Sequence, residues 1–95
     1  MKKTKEFVLR EIADEYLLIP TGKTTETFNG IISLSDTAAF IYEHLEEADT
    51  FETLVHMIVS EYDVDEETAV KDAIIFINQL LANEMIELSN INENW

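Results

Sequence analysis

The stretch from Phe28 to Ala39 holds a turn signal, a short apolar run and a helix start in immediate succession. Asn29 and Gly30 tolerate positive φ, so the chain can reverse there. The β-branched apolar run over residues 31–34 has the length of a strand. Ser35 ends that run, and its hydroxyl can accept a hydrogen bond from an amide of the first turn of a helix. The stretch therefore predicts a turn, a strand and a helix joined without a linker.

Two further strands are predicted before this stretch. Residues 7–12 place Val8 and Ile12 on one face and Phe7 and Leu9 on the other. Residues 16–19 form a second run, which Pro20 ends because proline has no amide to donate to a ladder. The short connection over residues 13–15 predicts a hairpin, and the polar residues 21–27 predict an exposed loop.

After Ser35 the apolar period changes from two to 3.6, which predicts helices. The first helix is expected to end near Glu47. Asp49 and Glu52 have capping-box spacing at the start of the second. Asp65 is the expected N-cap of the third, and Asn83 is expected to end it in the left-handed conformation. Residues 85–88 are predicted to form a last short strand. The chain thus reads as α+β, with three strands followed by three helices.

The third predicted helix has an unusually wide apolar arc. At 100° per residue its apolar positions form two adjacent stripes, Ala69, Ala73, Phe76, Leu80 and Val70, Ile74, Ile77, Leu81. Ile75 lies apart from both. An arc this wide predicts either a central helix covered on two sides or a helix that leaves part of its arc open as the wall of a groove.

The balance of charge excludes one class of ligand. The chain has 20 acidic and 6 basic residues, and Lys71 is the one basic residue after Lys23. A helix from this acidic segment would be repelled by a phosphate backbone, so no nucleic-acid partner is expected.

Length and residue usage bound the remaining classes. Ninety-five residues make one small domain, which favours a binding module over an enzyme with an enclosed cavity. No catalytic residue and no cofactor are predicted. There is no cysteine, and no apolar run reaches the roughly 18 residues of a membrane span. We therefore expect a soluble, cytoplasmic protein with no membrane partner.

One pair of side chains has the spacing of metal ligands. Glu52 and His56 lie four residues apart on the face of one predicted helix. Two ligands from one face fall short of a closed tetrahedral site, and the sequence gives His44 no fixed relation to them. No metal site is predicted.

Four runs resemble the PqqD family over roughly residues 7–86. They are Leu17-Leu18-Ile19-Pro20, Phe28-Asn29-Gly30-Ile31-Ile32-Ser33-Leu34-Ser35, Ala38-Ala39-Phe40-Ile41 and Glu61-Tyr62-Asp63-Val64-Asp65. The resemblance implies an α+β, winged-helix-like fold, in which a three-stranded antiparallel β-sheet is followed by a three-helix bundle. The polar character of residues 1–6 predicts a flexible segment, and one domain is expected over residues 7–88, with a polar tail over residues 89–95.

The same resemblance implies a function. Such proteins are peptide chaperones that bind the leader of a ribosomally made precursor peptide and deliver it to a radical SAM enzyme. The leader is expected to lie against the third strand, in a groove walled by the third helix. On this chain the implied peptide-binding residues are Ile31, Ile32, Ser33, Leu34, Val70, Ala73, Ile74 and Ile77. The run Ile19-Pro20-Thr21-Gly22-Lys23 departs from members that serve quinone-cofactor synthesis, which favours another radical-modified peptide.

The physics of an edge strand is consistent with this function. Unpaired backbone groups at the edge of a sheet are a template for another strand, so a peptide can add there through main-chain hydrogen bonds. The alternative is an ordinary core strand whose edge is blocked. Because exposed edges can also pair with themselves, we expect a monomer or a weak homodimer.

Two other classes share parts of the pattern. A winged-helix transcription regulator has the same outline, but Glu66, Glu67 and Asp72 lie where phosphates would approach its third helix. An acyl carrier protein is also small and acidic, with a serine at a helix start. Here the order Leu34-Ser35-Asp36 is reversed from that of a phosphopantetheine site, and the leading hairpin does not fit a helical carrier.

Overall fold

The computed structural model describes residues 1–88. Its elements in chain order are β1 (Lys2–Lys3), β2 (Phe7–Ile12), β3 (Glu15–Pro20), α1 (Thr24–Thr27), β4 (Ile32–Leu34), α2 (Asp36–His44), a 3-10 turn (Leu45–Glu47), α3 (Phe51–Glu61), α4 (Glu66–Ala82) and β5 (Ile86–Glu87). The main sheet is antiparallel with the order β2-β3-β4. The expected α+β, winged-helix-like architecture is confirmed.

The β2–β3 hairpin turns through two residues with positive φ. Ala13 has φ 50° and Asp14 has φ 66°, between the paired residues Ile12 and Glu15. Two left-handed residues in succession make a type I′ turn, whose twist matches that of the flanking strands. The connection is therefore one residue shorter than the sequence predicted, since Glu15 already belongs to β3.

Strand β4 lies at one edge of the sheet and pairs on its inner side with β3. Its register places Leu34 opposite Tyr16, Ser33 opposite Leu17, and Ile32 opposite Leu18. Leu18 and Leu34 are buried in the core, whereas Ser33 is exposed. Since side chains alternate across a strand, Ile32 and Leu34 share the face that packs on the helices.

Side chains at the N-caps fix where the three long helices begin. Ser35 accepts a hydrogen bond from the amide of Ala38 at 3.1 Å, and Asp65 accepts one from the amide of Thr68. Both caps were predicted. The expected Asp49–Glu52 capping box is wrong, because Thr50 caps α3 by accepting from the amide of Thr53 at 3.1 Å. Each cap satisfies an amide that would otherwise have no partner in the helix.

Helix α4 is the central helix of the bundle. All four residues of its first apolar stripe are buried, and of the second stripe only Ile77 is. It packs against α2, α3 and β5. Asn83 has φ −95°, and the left-handed residue beyond the helix is Glu84, with φ 56°. The left-handed conformation was therefore expected one residue too early.

The first and the last strand of the described residues pack together. β1 pairs with β5, and Met1 is buried with 4% of its surface exposed. The expected flexibility of residues 1–6 stays a prediction, although β1 lies within that segment. The predicted loop over residues 21–27 contains α1, where the buried Thr24 hydroxyl accepts from the amide of Glu6 at 2.8 Å. The predicted polar tail over residues 89–95 lies outside the described residues. In residues 1–88, no helix has the length and apolar character needed to cross a membrane.

Candidate functional site

The register of the sheet determines which backbone groups of β4 face outward. Thr21 donates its amide to the carbonyl of Glu6 at 3.0 Å, one step beyond the Phe7–Pro20 pair. In antiparallel strands successive residues bond to opposite sides, so Pro20, Leu18 and Tyr16 turn away from β2. The absence of an amide on Pro20 agrees with this.

The same alternation carries over to β4. Ile32 lies opposite Leu18 and Leu34 lies opposite Tyr16, so Ile32 and Leu34 direct their amides and carbonyls to β3. Ser33 directs its amide and carbonyl to the other side, where no further strand of residues 1–88 pairs with the sheet. Ile31 lies two residues before Ser33, so in an extended chain its amide and carbonyl point to the same side as those of Ser33. The outer edge of β4 can therefore accept and donate main-chain hydrogen bonds.

Side chains leave this edge open. The hydroxyl of Ser33 donates a hydrogen bond to the carboxylate of Glu15 in β3 at 2.9 Å. This bond holds the Ser33 side chain toward β3 and away from the free edge. Ile31 is exposed over 59% of its surface. An apolar residue this exposed beside unpaired backbone groups indicates a surface able to receive another chain.

A lower groove separates the edge of β4 from helix α4. Its volume is about 320 Å³. The strand side is lined by Phe28, Ile32, Ser33 and Leu34. The helix side is lined by Phe76, Gln79, Leu80 and Asn83, with Met85 beyond the end of the helix. The groove thus combines an apolar wall with the side-chain amides of Gln79 and Asn83. This combination suits a peptide, which presents both apolar side chains and polar backbone groups.

An upper groove adjoins it along the same helix. Its volume is about 380 Å³, and Phe76 and Gln79 line both grooves. Ser35, Thr37, Ala38 and Ile41 form one side, and Asp72 and Ile75 extend the side formed by α4. From β4 into α2 the chain runs from the lower groove to the upper one, whereas α4 runs from the upper groove to the lower one. The two adjoining grooves, which share Phe76 and Gln79, are together called the channel, and the lower one lies at the edge of β4.

The structure divides the eight predicted peptide-binding residues into two groups. Ile32, Ser33 and Leu34 line the lower groove, and Ile31, which directly precedes β4, is exposed. Ala73 and Ile77 are buried in the core, with 0% and 1% exposure, and Val70 and Ile74 are partly buried. None of these four helix residues is among those that line either groove. Their role in peptide binding stays a prediction.

The residues of α4 that do line the grooves escaped the sequence analysis. Phe76 and Leu80 belong to the first apolar stripe, which contributed only Ala73 to the predicted peptide-binding residues, and Gln79 and Asn83 are polar and carry no apolar signal. The signal available was Ile75, which is 55% exposed although it lies on the chain's central helix. A large exposed aliphatic residue one position before Phe76 marks the side of the helix that faces the upper groove.

Acidic side chains gather near the end of the sheet where β3 begins. The pKa of Tyr16 is raised above its ordinary value of 10.0, first by the charge of Glu11, then by burial and by Asp36 and Glu43. Burial and the charge of Asp36 also raise the pKa of Tyr62. These shifts show a negative potential contributed by β2 and α2, which would repel a polyanion.

Both histidines line a third groove, between α2 and α3. His44 bonds to the carboxylate of Glu47 at 2.9 Å, and His56 lies on the other side of the groove. No sequence pattern predicted that these two histidines line one groove. In the part of the chain that the structure describes, no group of three or more His, Cys, Asp or Glu side chains is placed to hold a metal ion.

Comparisons with known proteins agree on one family. The family model described as "Coenzyme PQQ synthesis protein D (PqqD)" matches residues 8–86. A solved structure described as "TbiB1 in Complex with the TbiA(beta) Leader Peptide" is similar to this chain, with 29% sequence identity and a TM-score of 0.66. The match covers 92% of this chain and 95% of that one. A comparison with curated proteins found no match. Because the family model spans most of the chain, including the sheet, the grooves and all three long helices, this protein belongs to the PqqD family.

Proposed function

We propose that this protein binds the leader segment of a ribosomally made precursor peptide by adding it as a fourth strand to the free edge of β4. The observation that carries the proposal is the outward-facing backbone of Ser33 beside a groove of about 320 Å³. The similar TbiB1 structure, a complex with a leader peptide, supports it.

In this proposal the backbone and the side chains have separate tasks. The amide and carbonyl of Ser33 hold the peptide through main-chain hydrogen bonds, which require no particular leader sequence. Selectivity comes from the leader side chains that enter the grooves, where Phe76 and Leu80 offer apolar contact and Gln79 and Asn83 offer amide partners. Ordering a flexible peptide costs about 2–5 kcal/mol or more of the gross interaction, so the expected affinity is moderate.

The proposal includes presentation of the bound leader to a radical SAM enzyme, as the family resemblance implies. A peptide that adds to β4 leaves its remaining residues free to enter an active site elsewhere. The test is size-exclusion chromatography of the protein with a radical SAM enzyme encoded beside it, with and without leader peptide. Elution of all three together supports presentation, and separate elution at micromolar concentrations contradicts it.

The test of binding is an amide-shift titration of the isotopically labelled protein with leader peptides of precursors encoded nearby. Saturation is expected to shift the amide of Ser33 and slow its hydrogen exchange, because that amide gains a partner. The amides of Ile32 and Leu34 already bond to β3, so their exchange is expected to change less. The amide of Leu9, which by the same alternation faces outward from the opposite edge strand β2, serves as the control. Peptide binding without protection of Ser33 would overturn strand addition at β4.

A further inference from the structure

Among residues 1–88, Asp72 is the one charged residue that lines the upper groove. The other residues that line the two grooves are apolar or carry uncharged hydroxyl, amide or thioether groups. Asp72 is exposed, and within residues 1–88 its carboxylate makes no hydrogen bond or ion pair. Its negative charge is therefore available to a ligand in the groove.

No basic residue of the channel competes for that charge. Lys71 is the nearest in sequence, but successive residues of a helix lie about 100° apart, and Lys71 does not line the groove. The chain as a whole has a formal net charge of −14. A cationic side chain of a bound peptide would thus be attracted to Asp72, and an acidic one would be repelled.

The spacing along α4 matches that of an extended peptide. Asp72, Phe76 and Leu80 follow one another at intervals of four residues, about 6 Å along the helix axis. Side chains on one face of a strand recur about every 6.6 Å. A peptide strand running along the channel therefore presents alternate side chains to successive turns of α4.

The polarity of the added strand fixes which end of the peptide reaches Asp72. The pairs β2–β3 and β3–β4 are both antiparallel, and antiparallel pairing is slightly more stable per residue. β4 leads toward the upper groove, so an antiparallel peptide extends into that groove with its N-terminal part. The peptide residues opposite Asp72 then precede those that fill the lower groove.

Building on the proposed leader-binding function, we propose that Asp72 makes the site selective for peptides with a lysine or arginine two to four residues before the apolar residue that fills the lower groove. The ammonium or guanidinium group donates a charge-assisted hydrogen bond to the Asp72 carboxylate. Since the pair is exposed to solvent, we expect it to change affinity by about two- to fivefold at low salt.

The experiment uses a displayed library of random twelve-residue peptides, selected in parallel on four folded proteins. These are the parent, Asp72→Asn, the control Asp63→Asn and Ser33→Pro. The Asp63→Asn variant loses the same charge at an exposed position outside both grooves, so it corrects for general attraction of cationic peptides to an acidic protein. Ser33→Pro identifies the peptides that depend on the strand edge.

The expected result is enrichment of lysine or arginine at a fixed position before an apolar residue on the parent and on Asp63→Asn, but not on Asp72→Asn. A synthesised peptide of this class should lose about two- to fivefold in affinity on Lys→Gln, and the loss should vanish in Asp72→Asn.

Two results would overturn the inference in different ways. If peptides that depend on Ser33 show no basic preference, show it after the apolar residue, or keep it on Asp72→Asn, the assignment of Asp72 is wrong and the leader-binding function stands. If no selected peptide is weakened by Ser33→Pro, strand addition at β4 is itself wrong, and the inference that rests on it falls too.

Discussion

Proline substitutions at two adjacent positions of β4 separate its free edge from its paired edge. Ser33→Pro removes an amide that faces outward from the sheet. Ile32→Pro removes an amide that faces β3, where Ile32 pairs with Leu18. Proline is tolerated in edge strands where its missing amide would face solvent. We therefore expect Ser33→Pro to fold and to lose the peptide, and Ile32→Pro to lose stability.

The magnitudes follow from the hydrogen bonds involved. Ile32→Pro forfeits a ladder bond, about 0.5–1.5 kcal/mol, and leaves a carbonyl acceptor unsatisfied, about 1–3 kcal/mol. Loss of the partly buried isoleucine side chain adds to this, so we expect a cost of about 3 kcal/mol or more, out of a typical total of about 5–15 kcal/mol. Ser33→Pro should weaken peptide binding by about 1–3 kcal/mol, which is a loss of about five- to 150-fold in affinity.

The measurements are urea denaturation for the free energy of unfolding and calorimetry at matched salt for peptide affinity. Ser33→Ala is the control, because it removes the hydroxyl bond to Glu15 but keeps the backbone amide. It should bind peptide like the parent. A larger loss of stability in Ser33→Pro than in Ile32→Pro would show that the deduced orientation of β4 is reversed. If a folded Ser33→Pro binds as tightly as the parent, the peptide does not use this edge.

Three further substitutions test how the fold is held together. Ser35→Ala removes the N-cap of α2 and should lower the free energy of unfolding by about 1 kcal/mol while peptide affinity is kept, and an unchanged urea midpoint would speak against the cap. Replacing Ala13 with Asn and Asp14 with Gly should raise the free energy of unfolding by about 0.5–1 kcal/mol, since both positions have positive φ. A lower melting temperature in this variant would contradict the type I′ turn. Burial, then the charge of Glu46, raises the pKa of Tyr42 above 10.0, so the folded state holds this proton more tightly than the unfolded state. Stability should therefore fall as the pH rises above 10, and Tyr42→Phe should flatten that part of the pH profile.

The sequence alone determined the order and type of the main elements, because the interactions that specify them are local. Alternation over Phe7–Ile12 predicted β2 with its observed bounds, and Ser35 and Asp65 marked two helix starts through caps that act within one turn. The errors were also local. Thr50 lies beside Asp49 and caps α3 in its place, and Glu84 adopts the left-handed conformation expected of Asn83.

The tertiary structure decided which parts of these elements are available to a ligand. The register of β3 against β2 and β4 determines whether the backbone groups of Ser33 or those of Ile32 face outward. The sequence of β4 by itself does not contain that register. The wide apolar arc of α4 was visible in the sequence, but its first stripe is buried in the core, as is Ile77 of the second stripe. The wall of the grooves comes instead from the edge of one stripe, at Phe76, and from the polar Gln79 beside it. A helical pattern gives the angular position of each residue around the helix axis. Only the packing of the other elements determines which side of the helix stays uncovered.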